Sequence, residues 1–263
     1  MHWILQHNYR WDSGTKELIE ILERSDIPHS IHKVIPFIGE IEPDISPEGK
    51  VIVIGAYSLR RVAKRKGWVP GSFDLADTTF QMHRDHWGDE MLNSDAVVTT
   101  FGKADKIDLP HTFFARPVLD TKLFAGTVFE KDEFLTWHTK MMNLDVDHQH
   151  MDLTPNTEII VSLPKNIMNE YRCWVVDRRV VTASLYKRSG RVVYSDVVDQ
   201  YILDYAQSIV DKWSPLDCYV LDIATTEDGL KVIETNTLNA AGFYAANMSK
   251  LVQSLEDYAE KLS

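Results

Sequence analysis

The chain has little of what would make it a disulfide scaffold, a membrane protein or a nucleic-acid binder. Only two cysteines, Cys173 and Cys218, occur in 263 residues, and each sits in an apolar, strand-like run. Buried thiols are therefore expected, and no CxxC or Cys/His spacing marks a zinc centre. No stretch approaches the ~20 apolar residues of a membrane span. The opening MHWILQHNYRWDSG lacks the basic-then-apolar order of a signal peptide, so a cytoplasmic protein without a membrane partner is expected. Basic charge is also short. Lys and Arg number 28 against 39 Asp and Glu, a net charge of −11. That balance argues against a nucleic-acid partner, which needs a basic surface. The one basic cluster, LRRVAKRKG at 59–67, reads as a solvated helix face. Both common glycine-rich phosphate loops, GxxxxGK[ST] and GxGxxG, are missing.

What is present is an ordinary globular composition, 44% apolar and 25% charged, in a chain long enough for two lobes. The N-terminal part alternates strand and helix. WILQ, HSIHKVIPF and the fully apolar KVIVIG read as strands, while SGTKELIEILERSD, with Ser13 as N-cap, and LRRVAKRKG read as helices. This order predicts an α/β unit with a partly parallel sheet. From about residue 111 strands dominate, at 112–118, 125–129, 157–163, 170–176, 179–186 and 191–194, followed by an amphipathic helix from DVVDQYILDYAQ and a closing helix near the C-terminus. A boundary near residue 110 is expected, giving domains 1–110 and 111–263.

Chemistry concentrates in CYVLDIATTEDGLKVIETNTLNAAGFY, residues 218–244. Two apolar strands flank the turn signal Asp-Gly, predicting a β-hairpin. A three-residue loop, Glu227 to Gly229, puts Asp222 opposite Glu234, with Asn236 on the same face as Glu234. A two-residue loop shifts the pairing and leaves the Asp–Glu contact diagonal. Facing carboxylates repel unless a cation neutralises them, and oxygen-only ligands suit Mg²⁺ or Mn²⁺. The competing reading is a solvated hairpin face. The small residues and Gly242 beyond it suit a loop that lets a ligand approach the backbone. Upstream, NEYRCWVVDRRVVTASLYK forms a second hairpin in which Arg172, embedded in an apolar strand, requires an anion. Clustered His and Asp in MHRDHW (82–87) and DVDHQHMD (145–152) read as polar loops, with a transition-metal site as the alternative.

In this order, a strand with Arg116 and a following Lys122, then VSLPKN, then EYRCWVVDRRVVTASLYK, then the Asp…Glu-x-Asn hairpin, the chain resembles the ATP-grasp superfamily over roughly 111–250. It looks closest to the clade named for one arginine and two lysines. The resemblance implies a mixed α+β and α/β protein: an ATP-grasp fold of two α+β subdomains that grip ATP, preceded by an N-terminal Rossmann-like α/β domain. It implies ATP and Mg²⁺ (or Mn²⁺) as cofactors, with the metal on Asp222, Glu234 and Asn236. ATP contacts fall on Arg116, Lys122, Ser162, Leu163, Lys165, Glu170 and Lys187, and the catalytic residues are Arg172 and Lys187. Asn239 is read as a substrate contact. Where many members of the superfamily carry a glycine-rich loop over the phosphates, only Gly126 is near Lys122. The implied activity is an ADP-forming carboxylate–amine ligase working through an acylphosphate, with an amino acid, a peptide or a protein terminus as substrate. A phosphotransferase and a nucleotide-binding module without turnover are the alternatives. Intact Arg172, Asp222, Glu234 and Asn236 argue against the module, which need not keep costly buried charges.

Overall fold

The computed structural model describes residues 1–9, 11–35, 38–75, 78–118, 124–144 and 153–262. They form two compact units, one from Met1–Asp77 with Ile167–Ser263 and the other from Thr78–Asn166.

The first unit opens with β1 (His2–Gln6), α1 (Ser13–Arg24), β2 (His29–Ile35), β3 (Glu40–Glu42), β4 (Val51–Ile54), α2 (Tyr57–Lys66) and β5 (Pro70–Gly71). The strands are ordered β3-β2-β1-β4-β5. β1 runs parallel to β2 and β4, and β4 parallel to β5, whereas β3 is antiparallel to β2. All four residues of β4 are buried, as a central parallel strand requires. The α1 cap differs from expectation. Asp12, not Ser13, accepts from Thr15 N–H at 3.1 Å, so Ser13 is the first helical residue. The basic cluster forms α2, which buries Leu59, Val62 and Ala63 and ends at Gly67 with φ +66°. Only glycine takes that conformation without strain.

The second unit contains α3 (Phe80–Trp87), β6 (Val97–Thr100), β7 (Thr112–Pro117), β8 (Thr127–Glu130), α4 (Lys131–Met142) and β9 (Glu158–Ser162). Its strands form an antiparallel sheet ordered β6-β9-β7-β8. Phe101, Phe113, Phe134, Ile159 and Val161 fill its core, with Trp137 packed against them. Two elements correct the sequence reading. MHRDHW belongs to helix α3 rather than a polar loop, with the His83 ring stacked on Trp87 at 4.9 Å. Helix α4 has no counterpart in the sequence reading, because only Phe134 and His138 of its residues are buried and the apolar stripe is too narrow to read. DVDHQHMD (145–152) and Lys122 lie outside the described residues. Residue 110, where the sequence suggests a boundary, falls within Thr78–Asn166.

The chain then returns to the first unit with β10 (Ile167–Val176), β11 (Arg179–Arg188), β12 (Arg191–Ser195), α5 (Gln200–Lys212), β13 (Tyr219–Thr226), β14 (Gly229–Asn236) and α6 (Met248–Lys261). These strands make a five-stranded antiparallel sheet, β12-β11-β10-β13-β14. Asp177 and Arg178 both have positive φ, the backbone a two-residue hairpin turn demands. Tyr171 and Leu185 pack on Ile202 of α5. Trp174, Val176, Cys218 and Val220 join Trp3, Leu5 and Ile52 of the parallel sheet and Leu251 and Leu255 of α6 in one core. The two ends of the chain thus fold as one unit, and the N-terminal ammonium pairs with Glu256 at 2.9 Å. Among the described residues no helix is long and apolar enough to cross a membrane.

Candidate functional site

The polar cluster follows from strand periodicity at the edge of that core. Cys218 and Val220 are fully buried, and Asp222 is the next residue on the same face of β13. Arg172 stands in the same relation to Trp174 and Val176 on β10. The two strands pair with Arg172 directly beside Asp222. The guanidinium fork closes on the carboxylate, Nε donating to Oδ1 at 2.9 Å and Nη2 to Oδ2 at 2.8 Å. Asp222 is 1% exposed and Arg172 9%. The anion that Arg172 requires is thus a cross-strand neighbour.

The hairpin turn is shorter than the three-residue loop drawn from the sequence. Thr226 pairs with Gly229, leaving Glu227 and Asp228 as the loop. The carboxylates still face each other, because β14 carries a bulge. Ile223 pairs with Val232 and Asp222 with Glu234, so Ile233 is the extra residue. Asn236 ties the three together, its Nδ2 donating to Asp222 Oδ2 at 3.0 Å and Glu234 Oε1 at 3.2 Å. A second bulge, at Tyr186 on β11, separates the Glu170–Lys187 pair from the Tyr171–Leu185 pair. Lys187 Nζ lies 2.9 Å from Glu170 Oε1, and the Tyr186 hydroxyl donates to Glu170 Oε2 at 2.8 Å. Lys187, Glu170, Arg172, Asp222 and Glu234 therefore line up across four adjacent strands.

Burial alone would weaken the basicity of Arg172, but its bonds to Asp222 outweigh burial and hold the guanidinium above its ordinary pKa. Burial pushes the Asp222 carboxyl above the usual carboxylate range, against the pull of Arg172. Both carboxylate oxygens accept from the fork, so the pair is ionic. Burial, with Asp222 and Glu170 nearby, also raises the Tyr186 phenol and keeps it a donor.

The ring of Tyr244 covers this pair. Its centroid lies 4.9 Å from the Arg172 guanidinium carbon, and the Tyr186 ring lies 5.5 Å from it. The Tyr244 ring stacks with Tyr186 at 5.1 Å and with Tyr194 at 5.0 Å. Its φ of +53° is strained for a bulky side chain, at a cost of about 1–3 kcal/mol. Nothing in sequence spacing marks this residue. Its one cue is its place two residues after Gly242, where a Cβ would come within 3.1 Å of the Tyr244 ring.

Asn239 is fully buried. Its Nδ2 donates to Val53 O at 2.7 Å, its Oδ1 accepts from Phe73 N–H at 2.8 Å, and its carbonyl accepts from Gly55 N–H at 2.8 Å. It staples the loop after β14 to the end of β4. Asn239→Ala leaves the Val53 carbonyl and the Phe73 N–H without these partners, so a loss of about 2–4 kcal/mol is expected in denaturant titration. Beside this staple lies a cavity of ≈ 340 Å³ lined by Asn8, Tyr9, Asp12 and Thr15 on one side and residues 239–243 on the other. It opens past the carboxyl ends of β1 and β4, where open parallel sheets commonly bind ligands.

The remaining site candidates belong to the second unit. Arg116 lies on β7, paired in register with Ile160. Burial, then the charge of Arg116, lowers the His83 pKa to about 4, so that imidazole is neutral at pH 7. Ser162 is buried and donates to Asn93 Oδ1 at 3.2 Å. Leu163 is exposed, and Lys165 pairs with Asp95 at 2.8 Å.

Residues 48–255 match the ATP-grasp domain of family 3 in the clade named for one arginine and two lysines. Among curated proteins, none matches the chain by sequence. Several solved structures share its fold. A D-alanine–D-alanine ligase from Bacillus anthracis aligns with TM-score 0.62 at 12% identity, covering 99% of this chain and 98% of the other. The D-cycloserine synthetase DcsG aligns with TM-score 0.58 at 12% identity over 100% of both chains. The ATP-grasp ligase PsnB, complexed with a minimal precursor, aligns with TM-score 0.57 at 12% identity over 98% of both chains.

Proposed function

The chain belongs to family 3 of the arginine-and-two-lysines clade of ATP-grasp domains, and on that premise we propose that it is an ADP-forming, ATP-dependent carboxylate–amine ligase. The observation that carries this reading is the row of charges across the antiparallel sheet, with Arg172 and Asp222 buried at its centre. A nucleotide site is a reason to keep such charges at a core's edge, since ion pairs there add little stability over apolar residues.

The donor set fits a hard divalent cation. Among the described residues no group of three His, Cys, Asp or Glu is placed to hold a metal ion by itself, and the hairpin offers two carboxylates and one amide. Mg²⁺ is commonly held by one or two carboxylates, with substrate phosphates completing its shell. Asp222, Glu234 and Asn236 would hold it. Once bound, the ion would offset negative charge on the β- and γ-phosphates.

In the proposed reaction a substrate carboxylate oxygen attacks the γ-phosphorus of ATP, the bond to the β-γ bridging oxygen breaks, and ADP leaves. An amine then attacks the acylphosphate carbonyl, an amide forms, and phosphate leaves with the nitrogen's proton passed to solvent. Arg172 would stabilise charge on the transferring group, and Lys187, held by Glu170, would add positive charge beside it. The roles read for Arg116, Lys122, Ser162, Leu163 and Lys165 belong to the same proposal. The cavity beside Asn239 is the place we assign to a substrate. PsnB has been complexed with the precursor peptide PsnA2, and the other two neighbours are named for D-alanine–D-alanine and D-cycloserine. Amino acids and short peptides are therefore the first substrates to supply. The parallel order of β2, β1, β4 and β5 supports reading the N-terminal strands as the α/β region that precedes the grasp, although the family match starts at residue 48.

The test is ADP release from ATP and Mg²⁺ in the presence of pooled amino acids and peptides. Release that requires both a carboxylate and an amine, with an amide product by mass spectrometry, is expected. Release with a single acceptor that becomes phosphorylated would replace the ligase by a kinase.

A further inference from the structure

We infer that Tyr244 is a positioning residue that holds the Arg172 guanidinium in the orientation the phosphoryl transfer requires, an inference that rests on the ligase reading above. Asp222 takes the Nε and Nη2 side of the guanidinium. Nη1 is left on the other side, and its partner there is the Tyr244 hydroxyl, at a long 3.5 Å. The guanidinium carbon lies over the Tyr244 ring, 4.9 Å from its centroid. Asp222 thus fixes one edge, the Tyr244 ring and hydroxyl hold the other side, and the second Nη1 hydrogen is left to meet an incoming oxyanion. An aromatic ring suits this task because it attracts the cation, while its long hydroxyl contact engages only one of the two Nη1 hydrogens.

The surrounding chain is built to put a ring there. Residue 244 takes a left-handed backbone that glycine would adopt more readily. Gly242 leaves room for the ring, since a Cβ would approach Tyr244 Cε1 to 3.1 Å. On the far side, Ala245 N–H donates to the buried Ser184 Oγ at 3.1 Å, and Asn247 N–H donates to Thr182 Oγ1 at 2.9 Å. These two bonds pin the segment to β11. Tyr186 and Tyr194 both stack against the ring. An unfavourable backbone, held from both sides to present one side chain to one cation, is what a positioning role predicts and a loop of purely packing function does not need.

The experiment compares calorimetric affinity for Mg²⁺–ADP alone with that for Mg²⁺–ADP plus aluminium fluoride, a mimic of the phosphoryl group in transfer. The parent should gain about 100-fold or more from the fluoride complex. Tyr244→Leu and Tyr244→Gly should bind Mg²⁺–ADP like the parent but lose about tenfold of that gain, while Tyr244→Phe retains it because it keeps the ring. The glycine variant suits the left-handed backbone, so a folding defect in the leucine variant does not decide the outcome. Full gain in the leucine and glycine variants overturns the proposal, as does equal loss in the phenylalanine variant or no gain in the parent. A parent that does not bind Mg²⁺–ADP at all contradicts the ligase reading itself.

Discussion

Arg172→Met is expected to destabilise the protein by about 3–5 kcal/mol, because it strands the Asp222 carboxylate in a nearly closed site. For a chain of this size that is a fall of roughly 6–20 °C in melting temperature. Asn236 still donates to Asp222 in the variant, but it carries no charge to balance the carboxylate. The deficit has a definite pH dependence. Burial already holds the Asp222 pKa above the usual carboxylate range, and removing the cation raises it further. A carboxyl whose folded pKa exceeds its unfolded value favours folding at low pH and loses that advantage as pH rises through the folded pKa. The deficit should thus be fullest at neutral pH and shrink as pH falls toward about 4. Adding Asp222→Leu to Arg172→Met should restore most of the lost stability, since well-packed apolar replacements of a buried ion pair are often neutral or better. A single variant as stable as the parent at pH 7 would show that the pair is not the closed ionic contact described.

The second large effect is on binding. Glu234 is half-buried, faces Asp222 across the hairpin and accepts from Asn236. If the two carboxylates and the amide hold the cation, Glu234→Ala removes one anionic ligand and should weaken Mg²⁺-dependent ATP binding by about 100-fold, or about 3 kcal/mol. Thermal shift reads this directly. At an ATP-analogue concentration 100 times the parent's Kd, the parent gains about 2.7 kcal/mol of stability, while a 100-fold weaker variant gains only about 0.4 kcal/mol. A shift in the variant equal to the parent's would remove Glu234 from the site.

Period-2 alternation is enough to place Glu234 and Asn236 on one face, and the apolar setting of Arg172 is enough to require a buried anion. Turn chemistry alone does not settle the register. The hairpin uses a shorter loop, and the bulge at Ile233 brings Asp222 and Glu234 opposite each other. Such an insertion leaves no mark in a run of β-branched residues. Helix α4 is hard to read in the sequence because Phe134 and His138 are its buried residues, while Leu135, Trp137 and Met141 pack only partly against the core. The shared core of the two chain ends is also hidden. Trp3 and Trp174 are ordinary buried aromatics in sequence, and only the three-dimensional core joins them. Tyr244 is the sharpest case. Its position depends on a left-handed backbone and on two hydroxyls of β11, none of which follows from local pattern.

At the centre of the proposal, Asp222, Glu234 and Asn236 would hold Mg²⁺, which would offset negative charge on the ATP phosphates. Calorimetric titration of the parent with a nonhydrolysable ATP analogue, once with Mg²⁺ and once with EDTA, tests it most directly. The account predicts one site per chain with Mg²⁺ and at least about tenfold weaker binding without it. Binding of equal strength in EDTA, or none in either condition, would contradict it.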